Sequence, residues 1–251
     1  MKLAAMQPYF FPYLGYFDLM NQVDVWLVYD AAQYIRHGWV NRNRILHAAT
    51  GWQYILVPLK KHAYTTPINQ VEIANEINWQ TRIFKQLRHY HMDAPYYAEV
   101  INWLVDCFDT AENNLARLNV ELFRRTCRRL SIDKPIYVFS DMNLPVKQHT
   151  SPQDLALQLC VAMGAHEYLN PPGGAGLYDA EQFAAHGIRL AIQKFVNMPY
   201  ACGRFQHEPA LSIIDVMMWN SPAEIGCYLN IYRESHMLPK ENYATVSPAR
   251  Q

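Results

Sequence analysis

The sequence predicts an α/β protein with a mainly parallel sheet, a Rossmann-like β-α-β unit at its start and a helical insertion. Short apolar runs at Lys2–Met6 and Val23–Tyr29 indicate buried strands, and Gly15–Gln22 between them has the apolar spacing of a helix. Two strands and a helix within thirty residues form a compact unit with parallel strands and a right-handed crossover. Apolar residues at helical spacing over roughly 76–132 predict the insertion.

The remaining elements follow from the same periodicities and from local start and stop signals. Ser151 followed by Pro152 predicts a helix start, and Gly164 predicts its end. Pro58 suggests that its strand is an edge strand or ends there. Further strands are expected at Trp52–Leu59, Ile136–Phe139, Glu167–Asn170 and Ile188–Gln193, with a short one at Ile68–Ile73. Further helices are expected at Trp79–His89, Tyr96–Phe108, Asn113–Leu130, Pro152–Met163, Gln182–His186 and Leu211–Trp219.

Length and composition are those of an ordinary globular protein, with 51% hydrophobic and 18% charged residues among 251. We expect one α/β domain over 1–235, including the insertion, and a loose polar tail over 236–251. Lysine plus arginine and aspartate plus glutamate both number 22. This zero balance disfavours a protein that binds polyanions all over its surface, although it leaves room for a local basic patch.

The chain is expected to be cytoplasmic. No apolar run approaches the roughly 18–20 residues of a membrane span. The apolar opening is interrupted by Pro8 and Pro12 and lacks the small-residue cleavage site of a signal peptide. The five cysteines are scattered without a CxxC pair, which indicates reduced thiols and not a disulfide framework or a thiolate zinc site. Oligomeric state is left open.

The best candidate for a functional site is the N-terminal segment Met6–Arg44, which supplies two loops at strand ends. In open parallel sheets, ligands bind beyond the carboxyl ends of the strands. The first loop brings substrate-binding candidates Gln7, Tyr9 and Tyr16 around two prolines and Gly15, just before a helix whose free N–H groups suit an anion. The alternative interpretation of these aromatic residues is a plug of the hydrophobic core.

The second loop is dense in groups that recognise anions and amides. Arginine gives bidentate recognition of carboxylate or phosphate, and asparagine offers a donor and an acceptor together. An exposed polar hairpin is the alternative interpretation. The candidates in this loop are Asp30, Gln33, Arg36, Trp39, Asn41, Arg42 and Asn43.

A glycine-rich stretch follows the predicted strand at Glu167–Asn170. Its backbone N–H groups can surround a ligand, and Gly173, Gly174 and Tyr178 are the candidates there. The stretch matches neither GxGxxG nor a P-loop, so a simple tight connection fits it equally well.

Two other features of the sequence give little support to a nucleic-acid interface or to a metal site. The arginines of 117–129 lie mostly apart from the apolar stripe of their helix, which favours a solvated face over a nucleic-acid interface. Among the ten histidines, His89 and His91 are two apart, but on a helix this spacing points them away from each other. No HExxH or GxSxG motif appears. Neither a metal site nor another cofactor is expected.

Four blocks resemble, in this order, the WbqC-like protein family: MQPYFFPYLGYFDLM, VYDAAQYIRHGWVNRNRI, YLNPPGGAGLYD and LSIIDVMMWNS. The resemblance extends from residue 1 to about residue 232. The family commonly has two adjacent aspartates after the second strand, where this chain has Asp30 and Ala31. Any role that needs an adjacent pair of carboxylates is therefore unsupported here.

The resemblance implies a transferase that joins a small amino acid such as glycine to an activated acceptor. The acceptor class it implies is an amino sugar in surface-polysaccharide (O-antigen) biosynthesis, or, in viral relatives, phosphomethyl-deoxyuridine in DNA with loss of phosphate. Arginines in the second loop suit such substrates, and we expect Arg42 to stabilise the anions and Asp30 to accept a proton from the amine. Neutral net charge favours a small phosphorylated or nucleotide-linked acceptor over DNA. A non-catalytic module that binds a nucleotide or nucleotide-sugar is the alternative.

Overall fold

The computed structural model describes residues 1–147 and 151–235, with side chains described as far as residue 231. It contains a five-stranded, fully parallel sheet and a separate antiparallel hairpin. The strands in chain order are β1 (Lys2–Met6), β2 (Val25–Val28), β3 (Arg42–Leu46), β4 (Trp52–Leu56), β5 (Ile136–Val138), β6 (Glu167–Asn170) and β7 (Arg189–Ile192). The order in the sheet is β5-β2-β1-β6-β7, and β3 pairs with β4.

Helices cover both faces of this sheet, which confirms the predicted α/β class. They are α1 (Leu14–Asn21), α2 (Trp79–Leu87), α3 (Tyr97–Phe108), α4 (Leu115–Arg129), α5 (Pro152–Met163), α6 (Ala180–Ala185), α7 (Ile213–Trp219) and α8 (Pro222–Ser235). Within the described ranges, none of them combines the length and apolar character that a membrane crossing requires.

Alternation along the strands builds two cores. On one face, Trp26 of β2 stacks on Phe123 of α4, with ring centroids 5.4 Å apart. On the other face, Leu27 of β2 and Leu3 of β1 pack in the cluster that contains Leu159 of α5. Successive side chains of a strand point to opposite faces, so the continuous apolar runs seen in the sequence belong to strands buried on both sides.

Local signals located several elements closely. Ser151 Oγ accepts a hydrogen bond from the backbone N–H of Asp154 at 3.1 Å, and α5 begins at Pro152 as predicted. Gly164 ends this helix in the left-handed conformation, with φ of +68°. The predicted insertion, 76–132, contains α2, α3 and α4.

The strand predicted at Trp52–Leu59 is confirmed over residues 52–56, but it pairs with β3 and lies outside the main sheet. The polar sequence RNRIL had concealed β3 within a predicted loop. Another strand prediction was wrong. The segment Ile68–Ile73 is not a strand but contains a 3-10 turn, Ile68–Gln70. Its backbone N–H groups bond to the loop after β2, where Ile68 donates to the carbonyl of Ala32.

The helix α8 was not predicted from the sequence. It begins at Pro222, shortly after α7 ends at Trp219. The tail predicted at 236–251 lies outside the described residues, so the domain limits stay a prediction.

Candidate functional site

A cavity of about 890 Å³ opens at the carboxyl ends of β1, β2 and β6. From β1 the chain passes to β2 on one side, whereas β6 and β7 lie on the other, so β1 and β6 flank the point where the strand order reverses. Ligand sites of open α/β sheets occur at such switch points. Nine of the thirteen predicted site residues line this cavity: Gln7, Tyr9, Tyr16, Gln33, Trp39, Asn43, Gly173, Gly174 and Tyr178.

The loop after β1 supplies tyrosines to the wall of the cavity. Tyr16 is largely buried between Trp26 and Phe123, and its hydroxyl donates to the carbonyl of Gln7. Tyr9 and Tyr13 are less buried and also line the cavity. Burial raises the pKa of all three phenols, so at neutral pH they stay protonated and can donate or accept hydrogen bonds. Tyr16 thus fits the core-plug interpretation in part, because it packs in the core, but its side chain also lines the cavity.

Buried amides fix this loop against the one after β2. Asn119 of α4 donates to the carbonyls of Pro8 and Val40, at 2.8 and 2.7 Å. Asn43 of β3 donates to the carbonyls of Phe10 and Phe11, at 3.0 and 2.8 Å. Its amide therefore holds the loop although the residue also lines the cavity.

Phe11 has a φ of +40°, which is unusual for a residue with a side chain. Its carbonyl also accepts a hydrogen bond from Ser212 Oγ at 2.8 Å. Strained conformations of this kind persist where the surrounding contacts enforce them, and they cluster at functional sites.

Four predicted site residues do not line the cavity. Arg36 lies in the exposed part of the second loop. Asn41 accepts from the hydroxyl of Tyr34 and donates to the carbonyl of Val57, both at 2.9 Å. The structure therefore gives Asn41 a supporting position in the hairpin.

Arg42 and Asp30 are the other two. The guanidinium of Arg42 lies 4.0 Å from the ring centroid of Tyr54 and donates to the carbonyls of His37 and Gly38. Asp30 is 2% exposed, and its carboxylate accepts from the backbone N–H and hydroxyl of Ser140 at 3.1 and 2.5 Å. This carboxylate ties the end of β2 to the turn after β5 and does not face the cavity.

Arg44 lines the cavity and was not among the predicted residues. Of the described residues that line it, Arg44 alone carries a formal charge, and no carboxylate is present. Its guanidinium lies 5.4 Å from the ring centroid of Trp39 and 5.0 Å from that of Trp52. Nη2 donates to the carbonyl of Ala210 at 3.2 Å. Its i, i+2 relation to Arg42 on β3 was the available signal, since both side chains share one face of the strand.

The glycine-rich loop after β6 closes the opposite side of the cavity. Gly174 lies so close to Asn170 that an added Cβ would be 2.5 Å from its Nδ2, whereas Gly173 has open space. Ser151 and Pro152 place the N-terminus of α5 at the same wall, a feature absent from the predicted site. Helix N-termini favour anions through their free N–H groups and positive dipole end.

The arginines of α4 are engaged within the protein, as the solvated-face interpretation expects. Four form ion pairs with three carboxylates, since two of them share Glu121, and the fifth donates to a carbonyl, so their charge is partly compensated locally. The contacts are Arg117–Asp141, Arg125–Glu121, Arg128–Glu121, Arg129–Glu99 and Arg124 to the carbonyl of Ile136. In the described part of the chain, no three histidine, cysteine, aspartate or glutamate residues come together as a metal site would require.

These features define an α/β protein with a tyrosine-rich cavity at the switch point of a parallel sheet, whose described lining carries one formal charge. The chain belongs to the WbqC-like protein family, whose model matches residues 7–227. It is 29% identical over 238 residues to an uncharacterised protein of Mycobacterium tuberculosis, covering 93% of this chain and 99% of that one. No solved structure gives a significant match.

Proposed function

We propose that the protein is a transferase that joins a small, glycine-like amino acid to a phosphate-activated sugar or nucleoside held in the switch-point cavity. The observation that carries the proposal is the charge pattern of the lining, with Arg44 and no carboxylate among the described residues. Such a lining favours anionic ligands, and both proposed substrates bear an oxyanion. Family membership supports the same class of reaction.

The size of the cavity suits two substrates together. Pockets for drug-sized ligands measure roughly 300–1,000 Å³, and this one is about 890 Å³. A nucleoside or sugar phosphate leaves room beside it for an amino acid as small as glycine. Tyr9, Gln7 and Gln33 supply the polar groups that such an acceptor needs for orientation.

The proposed reaction forms a C–N bond and breaks a C–O bond. The amine of the amino acid attacks the carbon that bears the phosphate, and the phosphate leaves with the electrons of the C–O bond. Ammonium and phosphate dianion together carry one negative charge. The products, a secondary amine and dihydrogen phosphate, carry the same charge, so the leaving phosphate takes both protons.

The cavity favours this step by orienting the two reactants and by lowering the pKa of the attacking amine. Orientation of two bound reactants lowers the barrier substantially. Removal of an ammonium group from water into the cavity lowers its pKa by desolvation, which increases the fraction of nucleophilic free amine. The guanidinium and the helix N-termini stabilise negative charge on the departing phosphate. The proposal assigns no step to Asp30 or Arg42.

The test is a turnover assay on the purified protein. Glycine is mixed with two acceptor panels: the first contains sugar phosphates and nucleotide-sugars, and the second contains nucleoside phosphates. Released phosphate is followed by colorimetry, and new C–N products, together with the nucleoside diphosphate that a nucleotide-sugar releases, by mass spectrometry. Reactions without amino acid measure hydrolysis alone. Phosphate release that depends on glycine is expected, with a product whose mass is that of the acceptor plus glycine minus phosphoric acid (or minus the nucleoside diphosphate, for a nucleotide-sugar); no release with either panel would contradict the proposal.

A non-catalytic nucleotide or nucleotide-sugar binding module is the second candidate. It is favoured by the absence of a carboxylate from the described lining, because a general base for an attacking amine is then missing. Calorimetric titration with the same acceptors separates the two, since a binding module gives saturable binding without phosphate release. DNA as the acceptor predicts an affinity that falls steeply with salt, whereas the internally paired arginines of α4 favour small acceptors.

A further inference from the structure

The contacts around Arg44 describe an arginine held ready for a ligand. Its guanidinium lies between the indoles of Trp39 and Trp52. Stacking of this kind fixes the plane of the group, and the hydrogen bond from Nη2 to the carbonyl of Ala210 fixes its rotation in that plane. Arg44 forms no ion pair with the described residues.

The remaining donors of this guanidinium point to an occupant. Nε is shielded from water and has no acceptor among the described residues. A buried donor without a partner is costly, and natural proteins rarely leave one without a reason. Because Arg44 lines the cavity, a carboxylate or phosphate there can bind the planar fork in bidentate geometry. Contact with the shielded Nε itself requires a small shift of the side chain.

Two independent features lead to the same place. Trp39 and Trp52 remain 37% and 40% exposed, and their contact with the guanidinium gives a reason for two large apolar side chains at this surface. Ala210, whose carbonyl anchors Arg44, lines the cavity with a φ of +54°, a left-handed conformation that costs a non-glycine residue free energy. A strained residue that anchors the charged group of a cavity is typical of a preorganised binding site.

We infer that Arg44 is the anion-recognition residue of the cavity, that Trp39 and Trp52 position it, and that the ligand carries a carboxylate or phosphate against its guanidinium. The two anions are taken to be the amino-acid carboxylate and the acceptor phosphate, and for this identity the inference rests on the proposed function. It requires binding but no turnover.

The chain provides a matched control. Arg42 is on the same strand and the same face as Arg44 and also stacks on an aromatic ring, but it lies outside the cavity. Arg44→Ala therefore removes a guanidinium that lines the cavity, and Arg42→Ala removes one that lies outside it. Trp52→Ala and Trp52→Phe test positioning, because Trp52 stacks on Arg44 without lining the cavity.

The experiment is calorimetric titration of the full chain with uridine 5′-monophosphate, inorganic phosphate and glycine, with uridine as the neutral partner of the nucleotide. Arg44→Ala should weaken binding of the anions roughly ten- to hundredfold, the loss expected for hydrogen bonds to a charged group. Uridine binding should be unchanged, and Arg42→Ala should stay within about twofold of wild type for every probe. Trp52→Ala should weaken anion binding, and Trp52→Phe should restore it.

The outcomes separate the sources of the anion and the two proposals. Loss confined to glycine assigns the guanidinium to the carboxylate, and loss confined to the phosphates assigns it to the phosphate; either supports the inference. Equal losses in Arg42→Ala and Arg44→Ala, or wild-type protein that binds none of the anions, would overturn it. Binding that depends on Arg44 without turnover would leave the inference standing and contradict only the transferase. If Arg44→Ala does not fold, Arg44→Lys keeps the charge without the planar fork and should still lose affinity.

Discussion

The side chain of Asn119 joins the two loops of the cavity, and its removal should both destabilise the protein and disorder the site. Asn119 is 1% exposed and donates from Nδ2 to the carbonyls of Pro8 and Val40, at 2.8 and 2.7 Å. Asn119→Ala leaves both carbonyls without this donor. A lost hydrogen bond costs about 1 kcal/mol net, and a buried group left unpaired costs about 1–3 kcal/mol. The expected loss in free energy of unfolding is therefore about 2–4 kcal/mol.

Urea unfolding followed by circular dichroism and thermal melting measure this loss. For a chain of this size each kcal/mol lowers the melting temperature by about 2–4 °C, so a decrease of roughly 4–16 °C is expected. Asn102→Ala is the control, because Asn102 is exposed on α3 and its substitution should change stability by no more than about 0.5 kcal/mol.

The expectation extends to binding. Since Asn119 connects the loop that carries Tyr9 to the loop that carries Trp39, the folded fraction of Asn119→Ala should bind nucleotide more weakly than wild type. A melt indistinguishable from that of Asn102→Ala would refute the reasoning. Normal ligand affinity in a destabilised Asn119→Ala would refute the part that concerns the site.

Two further predictions follow from the described contacts. Gly174→Ala should destabilise the protein by about 1–3 kcal/mol and weaken ligand binding, because its Cβ would lie 2.5 Å from Asn170 Nδ2. Gly173→Ala, with open space around it, should leave both the melt and the titration nearly unchanged. A thiol reagent added to the native protein at pH 8 should react with the exposed Cys227, and four more thiols should react after denaturation. More than one reactive thiol in the native protein would contradict this. Burial raises the pKa of those four to about 12: Cys107, Cys127, Cys160 and Cys202.

The parts of the fold that the sequence predicts well are those decided by neighbouring residues. The helix from Pro152 to Met163 is bounded by a serine cap and a left-handed glycine, both of which act within four residues. Buried parallel strands such as β1 and β6 appear as short apolar runs that end at polar turns. The hairpin strand β3 was not predicted, because Arg42 and Arg44 point away from the core and alternate with the buried Asn43 and Ile45, so the segment has the composition of a polar loop.

The location of the candidate site was predictable for a topological reason. Parallel strands bring all their carboxyl ends to one edge, so the loops after β1, β2 and β6 meet there whatever their sequences are. Gln7, Gln33 and Gly174 follow from this rule and line the cavity. The N-terminus of α5 was not included, because its place beside β1 depends on the crossover from β5 to β6 and not on its own residues.

Choosing the charged group required information that no local pattern contains. Arg42 and Arg44 have the same chemistry, the same strand and the same face, and alternation cannot separate them. What separates them is the carbonyl of Ala210, 166 positions further along the chain. The hairpin register pairs Arg44 with Tyr54, yet the Arg44 guanidinium lies over Trp52 and that of Arg42 over Tyr54, so both contacts are diagonal. The same holds for Asp30, whose carboxylate accepts hydrogen bonds from Ser140, in a turn 110 residues away. A loop dense in arginine and asparagine therefore indicates where an anion can bind, whereas contacts formed by the whole fold decide which of its side chains lines the cavity.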